Sequence, residues 1–330
     1  MTSRDRYRGV PALVLGAAGF IGRWVARSLS LQHADLSLAV RDEGTARRVL
    51  DPLGVRGTIA VCDLERPPDI LSLIERVRPA VVFNLAGYGV DPDERLDSVA
   101  EAINSSLVRH VSDALASHDV PAWTGQRIVH VGSALEYGHM GGSLSEDVPG
   151  QPTTLYGRTK LAGTTALQSI CGERRLRGLT ARLFTVYGAG EHSRRLLPTL
   201  LASRASEGPI ELTDGRQLRD FTYVEDVADG LLRLGLSSAS PGTIVNLATG
   251  RLTSVRAFVE TAADVLGLPK ARLRFGALVT RPEEMSHDPV TLERLESLTM
   301  WRPSTGITDG IGRTYAHFAP QSHRTDAICL

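Results

Sequence analysis

Leu13-Val-Leu-Gly-Ala-Ala-Gly-Phe-Ile-Gly22 decides how the rest of the chain is read. Leu13 to Leu15 continue a short apolar run without polar alternation, the pattern of a strand buried on both faces of a parallel sheet. Gly16, Gly19 and Gly22 then recur at every third position. Beyond Gly22 the apolar residues Trp24, Val25 and Leu29 take up helical spacing. A strand, a glycine turn and a helix in that order present free N–H groups and a partial positive charge at a helix N-terminus, which suits a diphosphate. Gly16 permits the tight turn, Gly19 lets the backbone approach phosphates, and Gly22 lets the helix press on the strand. The spacing GxxGxxG is a variant of the GxGxxG dinucleotide fingerprint. Alone it also fits a glycine-rich turn that holds no ligand.

Outward from this stretch the chain alternates apolar strands with amphipathic helices. Strands are expected over 36–40, 57–62, 80–85, 127–131 and 180–184, and helices over 69–78, 97–118 and 156–171. The alternation predicts the α/β class: a Rossmann-type, doubly wound parallel sheet with ligands beyond the carboxyl ends of its strands. Gly16 to Gly22, Arg41, Asp63, Ala86 and Ser133 all fall at such ends. After Phe184 glycine, proline and arginine become frequent, as in Tyr187-Gly-Ala-Gly190, His192 to Pro198 and Gly208-Pro209. This marks a smaller α/β lobe. Residues 1–186 are expected to form the dinucleotide-binding domain, with a return around 219–249 that includes a strand at 244–247. Residues 187–218 and 250–330 form the substrate lobe.

Bulk composition narrows the function classes. The 330 residues suffice for one large or two modest domains. Lys plus Arg and Asp plus Glu are each 37, so the formal net charge is zero and nothing global points to nucleic acid or an anionic membrane. Cys62, Cys171 and Cys329 are odd in number and far apart, which suggests reduced thiols in a cytoplasm rather than a disulfide frame. The nine histidines show no metal-ligand spacing, so no metal is expected. No charged-then-apolar leader opens the chain, no run approaches a membrane span, and the Ala327-Ile-Cys-Leu330 tail is not a prenylation box. Residues 1–9 and 319–330 read as frayed ends.

Tyr156-Gly-Arg-Thr-Lys160 is the sharpest chemical constellation. On a helix, positions i and i+4 share a face, so the phenol and the ammonium point together. A phenol near pKa 10 is a poor base at neutral pH, and a neighbouring ammonium is expected to lower that value. Such a tyrosine could protonate an alkoxide as it forms or remove a carbinol proton. Ser133, at the end of the fifth strand, could hydrogen-bond the same oxygen. YxxxK alone also arises by accident on helix surfaces.

Together with the glycine turn, these marks resemble the extended short-chain dehydrogenase/reductases, in particular the NAD(P)-dependent epimerase/dehydratase family acting on nucleotide sugars. The resemblance runs from about Leu13 to Phe318. It is carried by Gly16-Ala-Ala-Gly-Phe-Ile-Gly22, Asp63-Leu64, Asn84-Leu-Ala-Gly87, Gly132-Ser133 with Glu136-Tyr-Gly138, Tyr156-Gly-Arg-Thr-Lys160, Arg182-Leu-Phe-Thr-Val-Tyr-Gly188, Arg219-Asp-Phe-Thr-Tyr-Val224 and Arg281-Pro-Glu. The resemblance implies that Ser133, Tyr156 and Lys160 are catalytic, with Tyr156 the acid/base, Lys160 also holding the nicotinamide ribose and Ser133 steadying the reacting oxygen. It implies a dinucleotide held by Gly16, Gly19, Phe20, Ile21, Gly22, Arg41, Asp63, Leu64, Leu85, Ala86, Gly87, Tyr156 and Lys160. Substrate contacts are implied for Ser133, Thr185, Arg219 and Arg281, with Arg219 and Arg281 on the diphosphate. The Glu191 to Arg195 segment sits where the family's lobe begins to cover the sugar nucleotide. The helices over 97–118 and 156–171 resemble those through which family members pair, so a homodimer is expected.

Departures from the family pattern refine the function. The second strand ends Ala39-Val40-Arg41-Asp42. An arginine there selects NADP by pairing with its extra phosphate; Asp42 serving NAD is the alternative. Thr185 stands where many members have Asn, which alters the contact to the sugar-phosphate. Enzymes that perform 4,6-dehydration usually carry an Asp-Glu pair where this chain has Ala134 and Leu135, so dehydration is not expected. Gly132-Ser-Ala-Leu-Glu-Tyr-Gly138 followed by Ser145-Glu-Asp looks more like the 4-keto-6-deoxy-sugar reductases. The expectation is NADP-dependent reduction of the C4 ketone of a nucleotide-linked 4-keto-6-deoxy sugar. The alternatives are a C4 epimerase with tightly bound NAD and a non-catalytic dinucleotide sensor.

Overall fold

Six strands follow one another up to residue 183: β1 (Pro11–Leu15), β2 (Asp35–Val40), β3 (Thr58–Val61), β4 (Val81–Asn84), β5 (Ile128–Ser133) and β6 (Gly178–Leu183). A seventh, Thr243–Leu247, joins them much later. The computed structural model describes residues 6–89, 94, 96–118, 120, 122–139, 141–279 and 286–318. In the sheet the order is Thr243–Leu247, β6, β5, β4, β1, β2, β3, and every pairing is parallel. The chain winds outward from β1 to β3, then returns to place β4 on the other side of β1. The carboxyl ends of β1 and β4 therefore flank a topological switch point, where ligands of such sheets bind.

The helices are α1 (Gly22–Leu31), α2 (Glu43–Leu50), α3 (Pro67–Val77), α4 (Asp97–Glu101), α5 (Leu107–Ala116), α6 (Leu155–Arg174), α7 (Leu196–Ala202), α8 (Val224–Gly235), α9 (Val255–Leu266), α10 (Glu293–Thr299) and α11 (Ile307–Phe318). A π-helical turn, Ala102–Ser106, links α4 to α5, so the helix expected over 97–118 is one rod with a bulge. Two apolar layers cover the sheet. Val14 joins Val25, Leu29 and Leu231 on the α1 and α8 side. Leu13 and Leu15 join Ile74, Val108 and Leu167 under α3, α5 and α6. The unbroken apolar run of β1 thus feeds both layers, each side chain contributing about 2 kcal/mol by burial.

Among the described residues, the later part of the chain adds three small pairings. Thr185–Tyr187 runs parallel to Phe221–Tyr223, Leu218–Arg219 antiparallel to Thr253–Ser254, and Ile210–Leu212 parallel to Leu273–Phe275. Phe221 stacks on Phe258 with ring centres 4.2 Å apart, and Tyr187 meets both edge-on.

One expectation at the N-terminus is corrected. Residues 1–9 read as frayed, and 1–5 lie outside the described residues, as do 319–330. Tyr7, however, is fully buried: its hydroxyl donates to the Leu232 carbonyl at 2.7 Å and its ring packs against Phe83 and Trp123. An aromatic ring anchored by long-range contacts holds the segment down, which local composition does not reveal. Cys62 and Cys171 are free and buried, and Cys329 lies outside the described residues. Among the described residues no helix is long and apolar enough to cross a membrane.

Candidate functional site

The glycine turn between β1 and α1 is shaped by close backbone approach. Gly16 has φ +76°, and a Cβ there would come within 3.0 Å of the Ala86 backbone nitrogen. A Cβ on Gly22 would strike the Gly16 carbonyl. Gly19 is exposed, Phe20 and Ile21 are partly exposed, and the first turn of α1 carries no acidic residue. Arg23 lays its guanidinium over the turn, donating to the Gly19 and Ala18 carbonyls at 3.0 and 3.1 Å. Exposed backbone, a helix N-terminus and an adjacent cation fit a dinucleotide diphosphate.

The flanking strand ends supply further candidates. Arg41 is exposed just beyond β2. Asp42 caps α2: its carboxylate accepts the Thr45 N–H at 2.7 Å, a bond that holds the group below its usual range. Asp63, beyond β3, is exposed and accepts the Glu65 N–H at 3.0 Å, and Leu64 beside it is buried. Beyond β4, Leu85 is partly buried, Ala86 is buried and Gly87 is exposed. A Cβ on Gly87 would meet the Lys160 ammonium nitrogen at 3.4 Å.

Ser133 closes β5 and begins the short helical turn Ala134–Glu136. Its Oγ accepts the Leu135 N–H at 3.2 Å, so the hydroxyl proton remains to be donated outward. The first turn of α6 packs directly on this turn, because a Cβ on Gly157 would strike the Leu135 carbonyl. Thr154 caps that helix by accepting the Gly157 N–H at 3.0 Å. Tyr156 and Lys160 follow one turn apart, with the Lys160 Nζ 5.9 Å from the centre of the Tyr156 ring. The ammonium donates to the Val131 carbonyl at 3.1 Å and to the Ala86 carbonyl at 3.3 Å, which ties α6 to the ends of β4 and β5.

The electrostatics depart from the sequence argument. Burial pulls the Lys160 ammonium down to about 8, with Glu136 opposing the fall. The Tyr156 phenol was expected to be lowered by its lysine neighbour. It is instead pushed up, first by burial and then by Glu136 and Glu94, with Arg195 acting the other way. Helical spacing brings the two groups together, but it does not report desolvation, which dominates here. At neutral pH the tyrosine therefore carries its proton.

Asn104, on the π turn, is a residue the sequence reading missed. Its amide donates to the Tyr88 carbonyl at 2.8 Å and to the Thr159 Oγ at 2.9 Å, and it accepts the Tyr88 N–H at 3.0 Å. It pins the segment after β4 to α6 beside Lys160. The available signal was a polar residue on an apolar helix face between Ile103 and Leu107.

On the lobe side, Arg219 precedes Asp220, a buried carboxylate that accepts the Thr249 N–H and hydroxyl, both at 2.9 Å, and the Arg251 N–H at 3.2 Å. Asp220 thereby orders the loop next to Arg219. Arg219 is held below its usual value by burial and then by Arg195, so two guanidinium groups share one neighbourhood and concentrate positive potential there. Arg195 also acts on Tyr156 and pairs with the buried Glu191 at 3.4 Å, whose carboxyl burial pushes up to about 7. Thr185 is partly exposed and donates its N–H to the Asp220 carbonyl at 3.0 Å. Arg281 lies outside the described residues.

The model of the NAD dependent epimerase/dehydratase family matches residues 12–248. A dTDP-6-deoxy-L-talose 4-dehydrogenase (NAD(P)+) from Kitasatospora kifunensis is 31% identical over 269 residues, covering 78% of this chain and 79% of its own. An uncharacterized UDP-glucose epimerase from Bacillus subtilis strain 168 is 25% identical over 318 residues, covering 93% and 97%. Among solved structures, MoeE5 in complex with UDP-glucuronic acid and NAD is similar with a TM-score of 0.78 at 26% identity, covering 93% of this chain and 98% of that one.

Proposed function

Because the chain belongs to the NAD dependent epimerase/dehydratase family of nucleotide-sugar enzymes, we propose that it is an NADP-dependent reductase of the C4 ketone of a nucleotide-linked 4-keto-6-deoxy sugar. The observation that supports this reading is that Lys160, one turn after Tyr156, is hydrogen-bonded to carbonyls at β4 and β5, while Ser133 closes β5 with only Ala134 and Leu135 before Glu136. A bound nicotinamide supplies or accepts the hydride. Tyr156 gives its proton to the oxygen at C4 as the ketone becomes an alcohol. Ser133 donates a hydrogen bond to that oxygen, and Lys160 holds the nicotinamide ribose and stabilises the phenolate left behind. Neither Ala134 nor Leu135 can move a proton, so no elimination of water accompanies the hydride step and the chemistry is confined to C4.

Gly16, Gly19, Phe20, Ile21, Gly22, Asp63, Leu64, Leu85, Ala86 and Gly87 hold the dinucleotide in this reading. The NADP preference rests on Arg41: Asp42, the rival acceptor for an NAD ribose, already spends a carboxylate oxygen on the α2 cap. Arg219, with Arg281, takes the diphosphate, and Thr185 contacts the sugar-phosphate. Two copies of the chain pair through the groove between the α4–α5 rod and α6, lined by Ser105, Arg109, Leu161, Ala162 and Thr165.

The Bacillus relative's name favours a second reading, a C4 epimerase that keeps its NAD and consumes none. One experiment separates the two. The purified chain is given dTDP-6-deoxy-L-talose with NADP+ or NAD+, and nicotinamide absorbance is followed. In parallel it is given UDP-glucose with no added cofactor, and the sugar is read by NMR. NADP-dependent oxidation of the 6-deoxy sugar, the reverse of the proposed reduction, is the expected result. Conversion of UDP-glucose by a chain that copurifies with stoichiometric NAD overturns it.

A further inference from the structure

Behind Ser133 lies a buried carboxylate that the chemistry above leaves unused. Glu136 is fully buried at the end of the turn that follows β5. Its Oε1 accepts the Ser133 backbone N–H at 2.8 Å. Its Oε2 accepts the Thr164 hydroxyl at 3.0 Å and the Arg182 Nε at 2.9 Å. These donors come from three elements: the end of β5, α6 and β6. Thr164 lies one turn beyond Lys160 and two beyond Tyr156 on α6. Arg182 is itself buried, with its guanidinium 4.3 Å from the centre of the Tyr137 ring and its Nη1 without a hydrogen-bond partner. The Tyr137 hydroxyl donates to Asn246 Oδ1 on the seventh strand at 2.9 Å. Buried ion pairs of this kind are weak evidence for stability, since apolar replacements of the same volume are often as stable.

We propose that Glu136, backed by Arg182, is a positioning residue that clamps Ser133 to the helix carrying Tyr156 and Lys160. The proposal rests on the roles assigned above to those three residues. Its electrostatic reach fits the geometry. Glu136 opposes the fall of the Lys160 ammonium and adds to the rise of the Tyr156 phenol. Among the described residues, the other charged and titratable groups that act on the pair are His130 on β5, kept neutral by burial and then by Lys160, and Arg195 and Glu94, which act on Tyr156. Glu136 thus favours a charged lysine and a protonated tyrosine together, the pairing that proton delivery requires.

The sequence holds two lysines, Lys160 and Lys270. A Lys270→Arg chain labelled with carbon-13 at lysine Cε therefore yields one resonance, whose titration reads Lys160 without any substrate. In Glu136→Gln the midpoint falls by about one pH unit; an unchanged midpoint in the folded variant overturns the proposal. Should the half-broken pair fail to fold, the neutral pair Glu136→Gln/Arg182→Gln carries the same test. Turnover of dTDP-6-deoxy-L-talose supplies the second arm. The neutral pair keeps an acceptor for the Ser133 N–H and retains kcat within about threefold, whereas Glu136→Leu/Arg182→Met loses the acceptor and drops kcat about tenfold or more at unchanged NADP affinity. Equal kcat in both overturns the clamp. If Tyr156→Phe keeps full turnover, the catalytic assignment has failed, and the lysine titration still decides whether Glu136 acts on Lys160.

Discussion

Tyr156 keeps its proton because burial, Glu136 and Glu94 outweigh Arg195, and this makes it a donor rather than a base. Tyr156→Phe is expected to lower turnover about 10²–10⁴-fold while NADP binding by calorimetry stays near wild type. Lys160 gives a pH prediction. Its ammonium sits at about 8 when folded against an ordinary 10.5, so the folded state binds the proton less well than the unfolded one. Below pH 8 the full penalty applies, of order 3 kcal/mol, and it fades as pH rises from 8 towards 10.5. Lys160→Met should therefore outlast wild type in urea at pH 7, with the gap closing as the medium becomes alkaline; a constant gap would contradict it. Arg41→Asp should reverse the proposed preference for NADP over NAD by about tenfold in kcat/KM. At this scale the sequence displayed the tyrosine and lysine because their spacing is local, and the serine because it ends an apolar strand. It could not display Glu136 with Arg182, or Asn104 with Thr159, because those partners lie 46 and 55 residues apart. Nor could it show desolvation, and so the direction of the Tyr156 shift was misread.

Among the elements, β1 and α1 bear the strictest constraint. A Cβ on Gly22 would collide with the Gly16 carbonyl, a backbone atom that cannot swing aside. Gly22→Ala is expected to destabilise the chain by about 1–3 kcal/mol in urea unfolding and to abolish the rise in Tm expected of wild type on addition of NADP. Retained thermal response to NADP would show that the turn tolerates the methyl group and that the diphosphate sits elsewhere. The strands were legible because a sheet buried on both faces writes uninterrupted apolar runs, as in Leu13 to Leu15. The π turn at Ala102–Ser106 was not, because one extra residue in a helix leaves its apolar period nearly intact. Tyr7 was misread for the opposite reason: the residues that anchor it, Leu232 among them, are distant in the chain.

For the whole molecule, the alternation of strands and helices announced the parallel sheet, and the glycine turn marks the edge at which the dinucleotide is proposed to lie. The assembly is the part still open to measurement. Ala162 is exposed in the groove beside α6, so Ala162→Arg should leave the monomer fold unchanged and shift sedimentation from dimer to monomer. A wild-type chain that sediments as a monomer at micromolar concentration would refute the pairing. The last strand carries a further consequence. Among the described strands, Thr243–Leu247 pairs only with β6, and it is contributed long after the other six. During synthesis the outer rim of β6 stays unzipped until the ribosome has extruded residue 247. A nascent polypeptide stalled before that point offers its bare backbone to any neighbour, so the window of vulnerability spans the synthesis of the residues between β6 and the seventh strand.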